Sequence, residues 1–180
     1  MGWGEGFSRK ESWQDPLWKR GLFQLGLKSP PPLQLEEGQK GFVVQGTTLK
    51  ALFINAVTIL FSHLVEKIAT KGIKALDDRT VEITADTPAE LLVDWLNVLL
   101  SLFKRQGMVW TECEEIEIDE RHLEAVVAGE EYNPHCYKLN LLITRVLAHQ
   151  SRVQKTGSLW QAAVVYEPEA PLEAPTHDAS

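Results

Sequence analysis

Cysteine is scarce in this chain: Cys113 and Cys136 are the two among 180 residues, and they form no Cys-x-x-Cys pair. That excludes a disulfide-built scaffold and a cysteine-rich zinc knuckle, and it points to a reducing compartment, with the cytoplasm the expected location. Long apolar runs are lacking too. The longest stretch free of formal charge, Ala51 to Val65, holds Asn55, Ser62 and His63 and is about 15 residues long, short of the roughly 20 apolar residues of a membrane-crossing helix. Positive charge is in deficit: 18 Lys and Arg against 25 Asp and Glu leave a net charge of −7. A strong direct grip on nucleic acid needs a basic face, so none is expected. Missing as well are the phosphate loop, the Gly-x-Gly-x-x-Gly turn, the His-Glu-x-x-His helix and the Gly-x-Ser-x-Gly elbow. The common enzyme classes lose support, and a soluble protein is the expectation.

What is present suits one globular domain, 44% hydrophobic and 24% charged. Residues 1–32 mix Gly, Trp and charge without period and close on Ser29-Pro30-Pro31-Pro32, which opposes helix and ladder alike. They read as a poorly ordered extension, with Trp3, Trp13 and Trp18 as potential docking points. Residues 168–180 read as an acidic, proline-containing tail that buries too little to offset its ordering entropy. The domain proper is expected over 33–167.

Within it, Gly41 to Gly46 reads as a strand. Thr47 or Thr48 opens a helix whose apolar residues Leu49, Phe53, Ala56, Leu60, Leu64 and Ile68 recur at three and four, with Gly72 as its stop. Thr80 to Thr84 alternates as a strand. Thr87-Pro88-Ala89-Glu90 then supplies a capping hydroxyl, a proline at the first helical position and a Glu three residues past the cap. Leu92, Trp95, Leu96, Leu99, Leu100 and Phe103 form the buried stripe of that second helix, which ends before Gln106-Gly107. Strands follow over Met108–Thr111, Glu115–Asp119, Leu123–Ala128, Leu139–Ala148 and Leu159–Glu167. This order argues for an α+β fold, two helices packed on a mixed, largely antiparallel sheet.

Four groups of residues carry potential chemistry. Seven of the thirteen residues from Glu112 to Glu124 are Asp or Glu, a negative face that would either steer a basic protein or keep a strand edge from aggregating. His63 and Glu66, at i and i+3 on one helical face, are close enough for a hydrogen bond or half a metal site, and a lone pair of this kind is more often structural. His135 beside Cys136 reads as an inert loop. His149 and Glu167, near the ends of the two last long strands, are where a sheet rim converges side chains able to hold a hard or borderline cation.

The segment Leu91-Leu92-Val93-Asp94-Trp95-Leu96-Asn97-Val98-Leu99-Leu100 resembles the Leu-Leu-x-Asp-Trp-Leu-Asn-Glu-Leu-Leu helix of the archease family. Gly46 to Ala56 is similar to that family's Gly-x-Thr-Leu-x-Glu-x-Phe-x-Asn-Ala, and Gly129-Glu130-Glu131-Tyr132-Asn133-Pro134 to its Gly-Glu-x-Phe-Asp-Pro. The resemblance spans roughly residues 33–167. It implies an accessory protein of the GTP-dependent tRNA-splicing RNA ligase that promotes the ligase's guanylylation and turnover. It also implies a divalent cation (calcium, magnesium or manganese) on acidic residues at one end of the sheet. The matching positions depart from the pattern. The family's His-Thr-Ala-Asp after the first strand, whose Asp is a ligand, is replaced by Leu35 to Gly41; Glu36 or Glu37 is the nearest substitute, with Glu37 taken as the candidate. The family's Gly-Thr-Glu-Val-Lys-Ala-Val-Thr-Tyr-His falls on Asn140 to His149, its Lys becoming Thr144 while His149 is kept. The closing Asp becomes Glu167. The candidate ligands are therefore Glu167, Glu37 and His149, and the alternative is a protein-interaction module that kept the fold and lost the cation site.

Overall fold

The computed structural model describes residues 32–169. Most of the N-terminal extension and the tail beyond Glu169 lie outside the described residues. Within them the order is β1 (Gly41–Gly46), α1 (Leu49–Leu64), β2 (Val65–Lys67), β3 (Ala75–Thr84), α2 (Pro88–Gln106), β4 (Met108–Ile118), β5 (His122–Glu131), β6 (Tyr137–Leu139), β7 (Ile143–Val146), β8 (Arg152–Thr156) and β9 (Leu159–Pro168). All ladders among the described residues are antiparallel. β9 pairs with β1 and with both β8 and β7; β3, β5 and β4 form a second sheet in that order; β2 and β6 make a two-stranded ribbon. The fold is thus α+β, two helices on antiparallel sheets.

Both helices begin where hydroxyl caps dictate. Thr48 Oγ1 accepts the N–H of Ala51 at 3.0 Å, and Thr87 Oγ1 that of Glu90 at 3.2 Å. The Glu90 carboxylate reaches back to the N–H of Asp86 at 3.2 Å, a variant of the reciprocal capping box. α2 stops at Gly107, whose φ of 65° lets its N–H return to the Leu102 and Phe103 carbonyls. All six stripe residues expected on α2 are buried, with Trp95 and Leu96 fully so. α1 packs on β1, β9 and β4, and α2 on β3, β4, β7 and β8, so the helices tie both larger sheets to one core.

The main departures from the sequence expectation have local reasons. α1 ends at Leu64 rather than running past Ile68, because Val65 turns extended (φ −138°, ψ 150°) and Val65 to Lys67 pairs with β6. Ile68 is accordingly 55% exposed. β3 starts at Ala75, its early half hidden in the sequence by Asp77 and Asp78 at a register shift between Leu76 and Arg79. Two similar shifts let β4 run unbroken through Glu112 to Glu114. The run Leu139–Ala148 is two strands, since the N–H groups of Asn140 and Leu141 both turn to the Leu64 carbonyl, at 2.8 and 3.4 Å. β8 was not expected; its Arg-Val-Gln-Lys-Thr sequence is too polar to signal a strand.

Polar side chains fix how the helices seat. Asn55 Nδ2 donates to the Gln45 carbonyl at 2.9 Å, holding α1 to β1. Asn97 makes a two-way bond with the backbone of Val146: its Nδ2 donates to the carbonyl at 3.1 Å and its Oδ1 accepts the N–H at 2.8 Å. At Gly46 a Cβ would lie 2.3 Å from the Leu52 backbone nitrogen, so only glycine lets β1 approach α1 this closely. Leu96→Ala should destabilise the domain by about 2 to 5 kcal/mol, read as a lower denaturation midpoint, since the residue has no exposed surface. A midpoint equal to the parent's would take this face of α2 out of the core.

Candidate functional site: a carboxylate rim cleft

Past Val165 strand β9 runs beyond the β1 ladder and continues beside β7 through Tyr166 and Glu167. The Tyr166 N–H donates to the Lys40 carbonyl at 2.9 Å. Just before Lys40 the chain makes a turn at Glu37-Gly38, with Gly38 at a φ of 84°. Gln39 N–H donates to the Glu36 carbonyl at 3.1 Å, and Glu36 N–H to Gln39 Oε1 at 2.9 Å. Gln39 Nε2 donates in turn to Gln150 Oε1 at 3.4 Å, anchoring this turn to the one after β7. The result is a shallow cleft of about 490 Å³ whose lining includes Glu36, Glu37, Lys40, Gln150, Tyr166 and Glu167.

The structure therefore brings Glu37 and Glu167 to the same cleft. His149 is not among its lining residues: β7 ends at Val146, and His149 sits exposed on the turn beyond it. Its neighbour Gln150 lines the cleft, while Ala148 lines a separate hollow of about 410 Å³ with Asp86, Glu90 and Asp94. In that hollow burial, and then the charge of Glu90, push the Asp94 carboxyl up from its usual range.

Sequence reasoning missed the cations of the rim. Arg145 stands directly across from Glu167 in the β7–β9 register, with Nε 3.0 Å from Glu167 Oε2. Lys40 lines the cleft itself. Nothing in the sequence signals the Arg145 contact, because it depends on where the Leu139–Ala148 run breaks. Below the rim, His63 Nδ1 and Tyr166 Oη share a hydrogen bond at 3.0 Å, and the His63 ring packs edge-on against Phe42 and Tyr166. Burial raises the Tyr166 hydroxyl pKa. His63 and Glu66 do not share a helical face, because Glu66 lies on β2 and α1 has already ended. Cys136 is buried, its Sγ 3.5 Å from the Lys71 carbonyl, as suits an inert thiol.

A divalent cation fits these donors poorly. Such an ion takes about six or more oxygen ligands, usually several from carboxylates. Among the described residues no three His, Cys, Asp or Glu side chains stand close enough to share one ion. Glu167 is also already paired with Arg145.

The acidic segment forms the solvent side of the β3-β5-β4 sheet. Glu124 is in register with Glu82 on one side and Glu117 on the other, so three exposed carboxylates stand abreast. Glu117 and Glu124 border a groove of about 550 Å³ that also holds Glu114, Glu115 and Lys50.

An α+β domain of two capped helices on antiparallel sheets, closing on a carboxylate rim where its first and last strands meet, is the class that fold and site define. The archease protein family matches residues 40–167 of this chain. The chain belongs to that family. It is 33% identical to the protein archease of Methanosarcina acetivorans over 130 residues, covering 70% of this chain and 87% of that protein. With the protein archease of Methanosarcina mazei the identity is 30% at the same coverage. The solution structure of protein 1598 of Methanobacterium thermoautotrophicum is similar, with a TM-score of 0.57 at 26% identity over 71% of this chain and 90% of that one.

Two predictions follow from the charges. Glu124→Lys should stabilise the domain by about 0.2 to 1 kcal/mol at low salt, by converting two like-charge pairs to opposite ones. The gain should shrink as salt is added, and no gain would mean that the three carboxylates do not interact. Asp119 Oδ1 accepts the N–H groups of Arg121 at 2.7 Å and His122 at 2.8 Å, and these bonds hold its carboxyl below the usual range. The folded state thus favours the ionised form. Its contribution is complete above the unfolded value near ~4 and lost as pH falls through the lower folded one. A carboxyl-carbon NMR titration should give a midpoint below that of an ordinary Asp; an ordinary midpoint would mean the turn bonds are not kept in solution.

Proposed function

We propose that this archease family member is an accessory protein of a GTP-dependent tRNA-splicing RNA ligase, promoting the ligase's guanylylation and turnover without catalysing a reaction itself. The observations that support the reading are the family match over residues 40–167 and the gathering of Glu36, Glu37 and Glu167 at one exposed rim cleft. We place the ligase-facing surface there, with His149 on the crest beside it. Glu36, Glu37 and Glu167 are exposed carboxylates, suited to steering and orienting basic side chains of a protein partner. The role as proposed uses those carboxylates directly, and no step passes through a cation. The net charge of −7 agrees with binding the ligase rather than its RNA. No helix among the described residues is long and apolar enough to cross a membrane, and the cytoplasm is the compartment this role requires.

The test is a guanylylation and multiple-turnover ligation assay, with the ligase from the same source. The folded protein should stimulate both steps. The double variant Glu37→Gln with Glu167→Gln should lose at least tenfold of the stimulation at an unchanged denaturation midpoint, because neither side chain is buried. Full stimulation by the double variant would move the working surface away from the cleft. No stimulation by the folded parent would overturn the ligase role.

A further inference from the structure

We infer that Arg145 takes the place of a divalent cation on Glu167, so that the rim cleft carries its own positive charge and works without divalent ions. This rests on the cleft being the working surface, as proposed above. It accounts for the mismatch between the donors of the cleft and the needs of an ion.

The backbone on which Arg145 stands is pinned on both sides. Lys104 Nζ donates to the Thr144 carbonyl at 2.6 Å, and Asn97 binds both the N–H and the carbonyl of Val146. The outer edge of β7 is thus occupied by side chains of α2 instead of another strand. On the inner edge, the Leu147 N–H donates to the Val165 carbonyl at 2.8 Å. β7 therefore cannot slip against β9, and a slip of one residue would send Arg145 to the opposite face from Glu167. Register puts Arg145 and Glu167 side by side, and the 3.0 Å Nε to Oε2 distance is that of a charge-assisted hydrogen bond.

Three properties make this arginine a resident counter-ion. A guanidinium stays charged at every pH at which a protein is folded, so its charge is never withdrawn. It presents donors to a carboxylate, as a cation would, yet it is covalently held and needs no ligand set. It also repels an incoming ion from the carboxylate that the ion would have to share. Lys40 adds a second positive charge to the lining, against Glu36, Glu37 and Glu167. The pair itself is solvent-exposed, 66% and 48% at the two side chains, so it contributes little to stability and its removal leaves the fold intact.

The experiment is calorimetric titration of the full-length protein with Ca²⁺, Mg²⁺ and Mn²⁺, with thermal melts in chelator and in each ion. The parent should bind none of them below millimolar concentration and melt at the same temperature throughout. Arg145→Ala, which frees Glu167 without adding ligands, should bind at least one ion more tightly than the parent yet short of micromolar affinity, and melt higher in its presence, and adding Glu167→Gln should abolish that gain. Arg145→Lys, which keeps the charge, should behave as the parent. Micromolar binding of one ion by the parent, lost in Glu167→Gln, would overturn the inference. So would Arg145→Ala showing no gain, because some feature other than the arginine would then exclude the ion. None of these readouts involves a ligase, so a failed stimulation assay leaves them standing, and their failure leaves the ligase role untouched.

Discussion

Pairing along both edges of β9 is the constraint on which the rest of the structure depends. Six consecutive residues, Gln161 to Tyr166, are buried, so both faces of the strand are shielded from water. A strand buried in this way must satisfy every backbone group through its edges. β1 covers one edge over Trp160 to Val165, and β8 covers the other over Leu159 to Ala163. Between the end of β8 and the start of β7 the polar groups of Val165 would be left without partners. Ser151 and Leu147 fill that gap: Ser151 Oγ accepts the Val165 N–H at 3.0 Å, and the Leu147 N–H reaches the Val165 carbonyl. The turn that carries His149 and Gln150 to the rim exists because β9 requires those two residues beside it.

The helices then act as clamps on this sheet. Their apolar stripes supply the bulk of the core, but their polar residues set its alignment. Asn55 and Asn97 each bond a strand carbonyl, and Trp95 Nε1 points at the Phe53 carbonyl at 3.4 Å, joining the two helices. Asn133 plays a similar part in its loop, accepting the His135 N–H at its side chain and the Cys136 and Tyr137 N–H groups at its carbonyl. These residues lie in the three segments that resemble archeases, so what the resemblance tracks most closely in this chain is the architecture. The rim, where the working chemistry is placed, is where the chain departs most from the family pattern.

Charge is distributed unevenly over the two exposed carboxylate groups. At the rim, Arg145 and Lys40 offset part of the charge of Glu36, Glu37 and Glu167, and the local field stays negative. On the β3-β5-β4 sheet, Glu82, Glu124 and Glu117 stand abreast, with Lys50 in the groove beside Glu124 and Glu117, and repulsion between the three opposes pairing of those strands. A uniformly negative sheet face also discourages edge-to-edge association with another copy.

The sequence by itself determined the local structure that short-range forces dictate. The Thr87-Pro88 start and Gly107 stop of α2, the buried stripe from Leu92 to Phe103 and the start of α1 are all set by capping, periodicity and backbone sterics within a few residues. The α+β class follows from the order of those elements, and the archease resemblance from three of its segments. Placing Glu37 and Glu167 near one sheet end was legible only through that resemblance. Tertiary structure alone decided the rest, because those features rest on register between distant strands. β8 is a strand because β9 needs a partner, not because its polar residues favour one. Asp77 and Asp78 sit in a strand because a bulge absorbs them. His149 falls outside the cleft because β7 stops at Val146, and Arg145 meets Glu167 because Asn97 and Lys104, forty or more residues earlier in the chain, hold β7 in place.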